Sequence, residues 1–523
     1  MRVVKFWAAA AAAAGVSSCG GGDSSSAPPV VGPAPTPTLT VTLSQPTVSI
    51  EIEEGGSASF DFTATYTGNS NSPVVADVDV GGRRYVLDGA LAANGKSYTA
   101  NFTTAPFPAG GKTRSQVTFR LCTSASCSTV YPGSTKTFAV DLDVALADWG
   151  MFQRGASHTG YVAVEYDPAE IEPAWQWSLP AGGRINEPAA TRGRIFATAT
   201  NPVGDTIVYA LNSADGSIAW TSSLGDQSDV SGPSVAAGKL YVTTLESSSN
   251  DNPQWVLDAR DGTILRSMSF ASQWHDFTQP TIFDGQVFVA AGYYGNEVYA
   301  FDGNRGTLDW MAQGSADRIW DMQAVAADER YAYYYSGAMD VFDRRTGARV
   351  LSMADPALTN DGTTWPGSPI LDGDGGVFGF SSGMRRKSYA DGYVWFARLA
   401  GYSVNTGRQS WVTNAAYVSG AALDGDTIFA ARSDAARIDA IDKDTGAVRY
   451  SILLPDEETI VSNIVVAEGL LFATSENRIF AIDLKSTDRS VVWSGEGSGK
   501  LAITPDNHLL VAGNQILKAF ALH

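Results

Sequence analysis

Three tryptophans stand at matching places between strands, in Trp274-His275-Asp276, Trp320-Asp321 and Trp365-Pro366. Indole offers a large rigid apolar face and one N–H, so beside Asp and His it suits holding a ligand or a partner side chain. The corresponding places elsewhere hold Asn186-Glu187, Asp229-Val230, Tyr417 and Val461-Ser462. One reading is a binding mouth made of Trp274, His275, Asp276, Trp320, Asp321 and Trp365. The competing reading packs the indoles between repeats to fill a wide centre. Residues for covalent or metal chemistry are sparse. The four histidines (158, 275, 508, 523) lie far apart without ligand spacing, and no metal site is expected. Asp372-Gly-Asp-Gly-Gly376 has the alternating carboxylates of a calcium loop. It lacks the distal Glu and falls where every repeat has a hairpin turn, so a turn is expected. No G-x-S-x-G, H-E-x-x-H or G-x-x-x-x-G-K occurs. The tribasic Met384-Arg-Arg-Lys387, followed by Tyr389, Tyr393, Trp395 and Phe396, reads as a solvated loop, with docking of an acidic partner as the alternative.

The elements that must carry these residues are strands. Val298-Tyr-Ala-Phe-Asp-Gly-Asn-Arg-Gly-Thr-Leu-Asp-Trp310 is an alternating apolar run, an Asp-to-Gly turn and a second strand with Trp four residues past the Gly. The pattern recurs at Gly216/Trp220, Gly262/Arg266, Gly347/Leu351, Gly407/Trp411 and Gly446/Tyr450. Asp or Asn at the strand end bonds backbone two residues on, and Gly takes the positive φ that closes the hairpin. The second strands of the repeats begin at Ile195, Leu240, Val287, Tyr331, Val377, Ile428, Leu471 and Leu509, spaced 45, 47, 44, 46, 51, 43 and 38 residues. Periods of this length built from four strands predict a β-propeller, here of eight blades over residues 148–523. The last unit, Leu501 to Leu522, lacks its Trp strand, and Ala174-Trp-Gln-Trp-Ser-Leu179 ahead of the first unit supplies one. Pairing of the two ends is expected to close the ring and remove its open edges.

Before the repeats, residues 39–145 show short alternating runs between Gly, Asn and Pro turns, which reads as an immunoglobulin-like β-sandwich of roughly seven strands. Cys122 and Cys127 bracket Thr-Ser-Ala-Ser at a hairpin. Two cysteines without nearby His make a poor zinc site, and in an exported protein a short-loop disulfide is expected. Export is read from residues 1–18: Arg2 and Lys5, an apolar run from Phe6 to Val16 too short to span a bilayer, then small residues. Val16-Ser-Ser-Cys19 resembles the bacterial lipobox, which implies cleavage before Cys19 and its acylation. Gly20 after the Cys resembles the outer-membrane sorting pattern. Residues 19–38, rich in Ser, Pro and Ala, are expected to form a flexible tether.

The opening run Asp148-Trp-Gly-Met-Phe-Gln-Arg-Gly-Ala-Ser-His-Thr-Gly160, with the Tyr-Ala-Phe-Asp-x-x-x-Gly-x-x-x-Trp units after it, resembles the PQQ-like β-propeller superfamily. That superfamily includes quinoprotein dehydrogenases and BamB-like lipoproteins of the outer-membrane barrel-assembly machinery. The resemblance implies, for the enzymes, adjacent cysteines on the quinone and Glu, Asn and Asp around a calcium ion. Here the three cysteines are Cys19, Cys122 and Cys127, none adjacent and none in the repeats, so no PQQ, no other cofactor and no catalysis are expected. A formal charge of −19 argues against nucleic acid as a partner. The expectation is a non-catalytic, lipid-anchored scaffold for protein partners on the periplasmic face of the outer membrane. An envelope adhesion or ligand-binding lipoprotein is the alternative, and a PQQ-dependent oxidoreductase the remote one.

Overall fold

The computed structural model describes residues 37–81, 84–180, 183–200, 205–246, 251–272, 279–316, 323–358, 368–389, 392–418 and 420–523. The chain is all-β, as its alternating runs and turn residues dictate. The N-terminal unit is two facing sheets. One orders Thr40–Leu43, Ser59–Thr67, Ser97–Thr104 and Tyr85–Leu87, with Ala92–Asn94 also on Ser97–Thr104. The other orders Thr47–Glu53, Lys136–Ala145, Gly111–Cys122 and Val75–Asp79, its first two strands parallel. Alternation along these strands turns Phe62, Phe102, Phe119 and Phe138 inward, all 2% exposed or less. Cys122 and Cys127 are joined at the end of Gly111–Cys122.

From Tyr161 onward the described residues form eight further sheets. In a typical one, Thr281–Phe283, Gln286–Ala291, Glu297–Asp302 and Thr307–Gln313 pair antiparallel in chain order. The closing sheet takes Glu172–Ser178 onto Ile516–Ala521, then His508–Ala512 and Lys500–Ile503, so the two ends pair as the incomplete last repeat required.

The Asp-to-Gly turns also receive a side chain from the sheet before their own. Asp302 Oδ1 accepts the N–H groups of Asn304 and Arg305, both at 2.8 Å, and Gly306 N–H reaches the Asp302 carbonyl at 2.7 Å. At Gly347 (φ +71°) a Cβ would stand 2.6 Å from the Trp310 ring, and Trp310 Nε1 donates to the Arg344 carbonyl at 2.8 Å. Trp175 meets Gly216, Trp220 meets Gly262 and Trp411 meets Gly446 in the same way. The Trp of one sheet therefore lies flat on the Gly turn of its neighbour, which explains why the two residues recur together.

Candidate functional site

The inner strands of the sheets converge on an axis, and residues 149–164 run around it. Trp149 bridges Ala190, and the Gly150 carbonyl accepts from Val235 N–H at 2.7 Å. Met151 sulfur accepts from Ile282 N–H, and the carbonyls of Ala156, Ser157, Thr159 and Gly160 accept from Ala327, Leu371, Leu423 and Val466 in turn. Tyr161–Val162 then joins Val465–Ala467 as a parallel strand. Seven sheets are thus fastened, in chain order, to one segment. Its path needs positive φ at Gln153, Arg154, His158 and Gly160, so it is a wound hub rather than a strand.

Two side chains finish this hub. Gln153 Nε2 donates to the carbonyls of Ala421 at 2.8 Å and Ile464 at 3.0 Å, and its Oε1 accepts from Asn463 Nδ2 at 2.7 Å. Asn463 carries the link to the eighth sheet through the Leu501 carbonyl and N–H. His158, fully buried, donates from Nδ1 to the Pro369 carbonyl at 2.8 Å and meets Thr281 Oγ1 at 3.3 Å through Nε2. Burial lowers its pKa to about 4. No spacing rule marks Gln153 or His158, because their partners lie more than a hundred residues away in the chain. The Asp148–Gly160 run that carried the family resemblance was the only signal.

The N-terminal unit docks against this hub. Glu54 and Arg154 form a two-bonded ion pair with side chains 11% and 13% exposed, one bond being Nη1 to Oε1 at 2.8 Å. The same carboxylate accepts from the N–H groups of Ala163 and Ala147. Burial acts to raise the Glu54 pKa, but Arg154 and these N–H groups lower it further, and the net displacement is downward. Asn507 Nδ2 donates to the Gly110 carbonyl at 2.6 Å. The docked side of the propeller is therefore the one bearing the first turn of each sheet, at Arg192-Gly193 and at Pro505–Asn507.

Trp274, His275, Asp276, Trp320, Asp321 and Trp365 lie outside the described residues, as does Cys19. The strand ends flanking them, Ala271 and Thr281, Gln313 and Ala326, Ala354 and Ile370, all point away from the turns that meet the N-terminal unit. Described residues at the equivalent places are committed to structure. Asn186 Nδ2 bonds Thr198 Oγ1 and the Val230 carbonyl, and buried Tyr417 donates to Asp439 at 2.9 Å.

Two other expectations meet the structure directly. The tribasic run is not a loop: Gly376–Tyr389 and Gly392–Ser403 pair as a hairpin, with Arg385 opposite Phe396, Arg386 opposite Trp395 and Lys387 opposite Val394. The β-forming Tyr393-Val-Trp-Phe396 run extends the sheet beyond its neighbours, whose equivalent strands are five to eight residues long, against 14 and 12 here. This hairpin leaves the propeller at the end away from the turn at Asp372–Gly376. Asp372-Gly-Asp-Gly-Gly376 is a turn: Asp372 Oδ1 accepts from Asp374 and Gly376 N–H, and Oδ2 takes Lys443 Nζ at 2.8 Å.

Among the described residues no group of three or more His, Cys, Asp or Glu is placed to hold a metal. The paired cysteines belong to the N-terminal unit, and the axial polar groups are already bonded to strand carbonyls.

Among solved structures, BamB from Moraxella catarrhalis is 17% identical, with 67% of this chain and 97% of that chain covered at a TM-score of 0.49. A quinohemoprotein alcohol dehydrogenase from Pseudomonas putida HK5 is 11% identical, with 72% and 80% covered at a TM-score of 0.50, a likeness of fold alone. No curated protein sequence matches the chain. Residues 158–276, 204–384 and 396–521 match the family model described as outer membrane protein assembly factor BamB, and with its PQQ-like propeller repeats the chain belongs to that family.

Proposed function

We propose that this protein is a non-catalytic scaffold for protein partners in the bacterial envelope, tethered by lipid on Cys19 to the periplasmic face of the outer membrane. Its body is then an eight-bladed propeller with an immunoglobulin-like domain docked on one side. The family match over the repeats carries this reading. The hub supports it, since the axis is occupied by the chain's own Gln153 and His158 in satisfied bonds. Partners then approach from the side away from the N-terminal unit. There the Arg385–Lys387 hairpin supplies the cationic element of a chain whose net charge is −19, and it suits an acidic partner segment.

The test is crosslinking in intact cells, followed by detergent extraction, capture of the tagged protein and mass spectrometry. Recovery of barrel-assembly subunits, lost when Arg385, Arg386 and Lys387 are all changed to Glu, is the expected result. Surface protease removing the protein from intact cells, with no periplasmic partner captured, would overturn it and favour the adhesion or ligand-binding alternative.

A further inference from the structure

The chain holds 13 Trp, 20 Tyr and 22 Phe, and among the described residues only two of these side chains stand exposed. They are neighbours: Tyr293 is 41% exposed and Tyr294 66%. A single apolar residue at a surface is ordinary, but an adjacent pair of aromatics puts a large rigid face into water and marks a place for contact. The two rings meet edge to face, at 87° with centroids 4.6 Å apart, so they form a corner rather than a closed stack.

The turn that carries them is held from both sides. Gly292-Tyr-Tyr-Gly-Asn296 joins Gln286–Ala291 to Glu297–Asp302, and Gly295 N–H closes it on the Gly292 carbonyl at 3.0 Å. Gly292 has φ +117°, and a Cβ there would stand 2.7 Å from the Gly295 carbonyl oxygen, so the closure needs glycine. Gly292 N–H donates to the Ala271 carbonyl of the preceding sheet at 2.9 Å. On the other flank the Asn296 carbonyl accepts from Gly314 N–H at 2.9 Å, and its Nδ2 donates to the Ala316 carbonyl at 2.6 Å. The corresponding turn of the next sheet is only Ser336-Gly337, between Tyr331–Tyr335 and Ala338–Asp343, so reversing the chain does not require the two tyrosines. The pair is mounted on fixed backbone, which lowers the ordering cost of a contact.

We propose that Tyr293 and Tyr294 form a stacking platform for a neutral oligosaccharide. A pyranose ring has a flat C–H face and a rim of hydroxyl groups. The C–H face packs on an aromatic ring, while the hydroxyls bond phenol oxygens, backbone and water. The residues that the turn bonds, Ala271, Ser272, Gly314 and Ala316, are small and uncharged. The carboxylate beside the turn, Glu297, already accepts from the Tyr299 hydroxyl at 2.8 Å. A neutral sugar therefore fits better than a charged one. A protein partner would centre on a desolvated anchor ringed by wide contacts, whereas these rings stand proud of small residues. The inference goes beyond the scaffold reading and does not rest on it, since the platform needs no protein partner.

Ligand-observed NMR titration of the full chain with cellohexaose, chitohexaose and maltohexaose tests it. At least one hexasaccharide should bind, about tenfold more weakly in Tyr294→Ala and likewise in Tyr293→Ala. Tyr294→Phe should keep the affinity within about twofold, since stacking needs the ring rather than the hydroxyl. Both side chains are exposed, so the alanine variants should keep the thermal midpoint of the wild type. Failure of all three sugars to bind the wild type, or equal binding by the wild type and both alanine variants, overturns the proposal. Tyr294→Phe binding as weakly as Tyr294→Ala overturns it too. Loss of a crosslinked protein partner in the doubly substituted chain, with no sugar bound by the wild type, would assign the pair to protein docking instead.

Discussion

His158 shows how one residue ties the fold to pH. A carbonyl only accepts, so the bond to Pro369 fixes the proton on Nδ1 and leaves Nε2 to accept from the Thr281 hydroxyl. Burial holds the folded pKa at about 4, against an ordinary 6.5. Below about 6.5 the unfolded chain binds a proton that the folded chain refuses, so this stabilisation is complete above that value and drains away towards pH 4. Over the whole window the loss is at most roughly 3 kcal/mol. Asp424 works in the other direction. Its burial, with Glu468 and Asp426 beside it, raises its pKa to about 6, so its protonated form favours the fold and that contribution falls as pH rises through 6. The two offset one another in the wild type, and the comparison that isolates the histidine is with His158→Gln. Denaturant midpoints at about pH 5 and about pH 7.5 should fall further for the wild type on acidification than for the variant. Equal falls would show that His158 is not the group responsible.

At the scale of the element, the Gly turn and the Trp strand act as one device across two sheets. Gly347→Ala meets both a left-handed φ of +71° and the Trp310 ring 2.6 Å from the new carbon. Gly238→Ala meets a similar φ of +74° with nothing within 4 Å. The first should lose about 2–4 kcal/mol and the second about 1, and their difference measures the docking of Trp310. Equal losses would reduce the turn to a local feature. This device was readable in the sequence because its parts, Asp302, Gly306 and Trp310, sit within nine residues of one another. The pairing of Glu172–Ser178 with the C-terminal strand was readable for a different reason, since an incomplete last repeat demands its missing strand. The hub was not readable. Gln153 reaches Ala421 and Ile464 through bonds that no local period records. The hairpin was misread because Arg385, Arg386 and Lys387 look like solvated loop residues, while its strand signal lies mostly in the returning arm. Gln153→Ala should therefore cost more than its burial suggests, about 3 kcal/mol, since it takes the side-chain donor from two strand carbonyls and one acceptor from Asn463, which keeps only its bonds to Leu501. A loss below that of an exposed turn substitution would show the hub to be dispensable.

For the whole molecule, the question is whether the N-terminal unit and the propeller unfold as one body. Glu54 belongs to the first and Arg154 to the hub of the second, and both are nearly buried. Removing one partner of such a pair strands the other charge, which costs about 3 kcal/mol. The carboxylate also holds the N–H groups of Ala147 and Ala163, on either side of the hub segment, so its loss loosens the path by which the chain passes between the units. Glu54→Ala should accordingly split a single calorimetric transition into two and open the chain near Ala145 to protease. Asp77→Ala, which breaks the Arg120 pair within the N-terminal unit, is the control: those side chains are 33% and 36% exposed, and the effect should be under about 1 kcal/mol with one transition kept. If both variants unfold in one step with similar midpoints, Glu54 does not couple the units. If only Glu54→Ala splits, the propeller and its companion are joined through the same segment that fastens the sheets to one another. Strain applied to the N-terminal unit would then be felt at the axis.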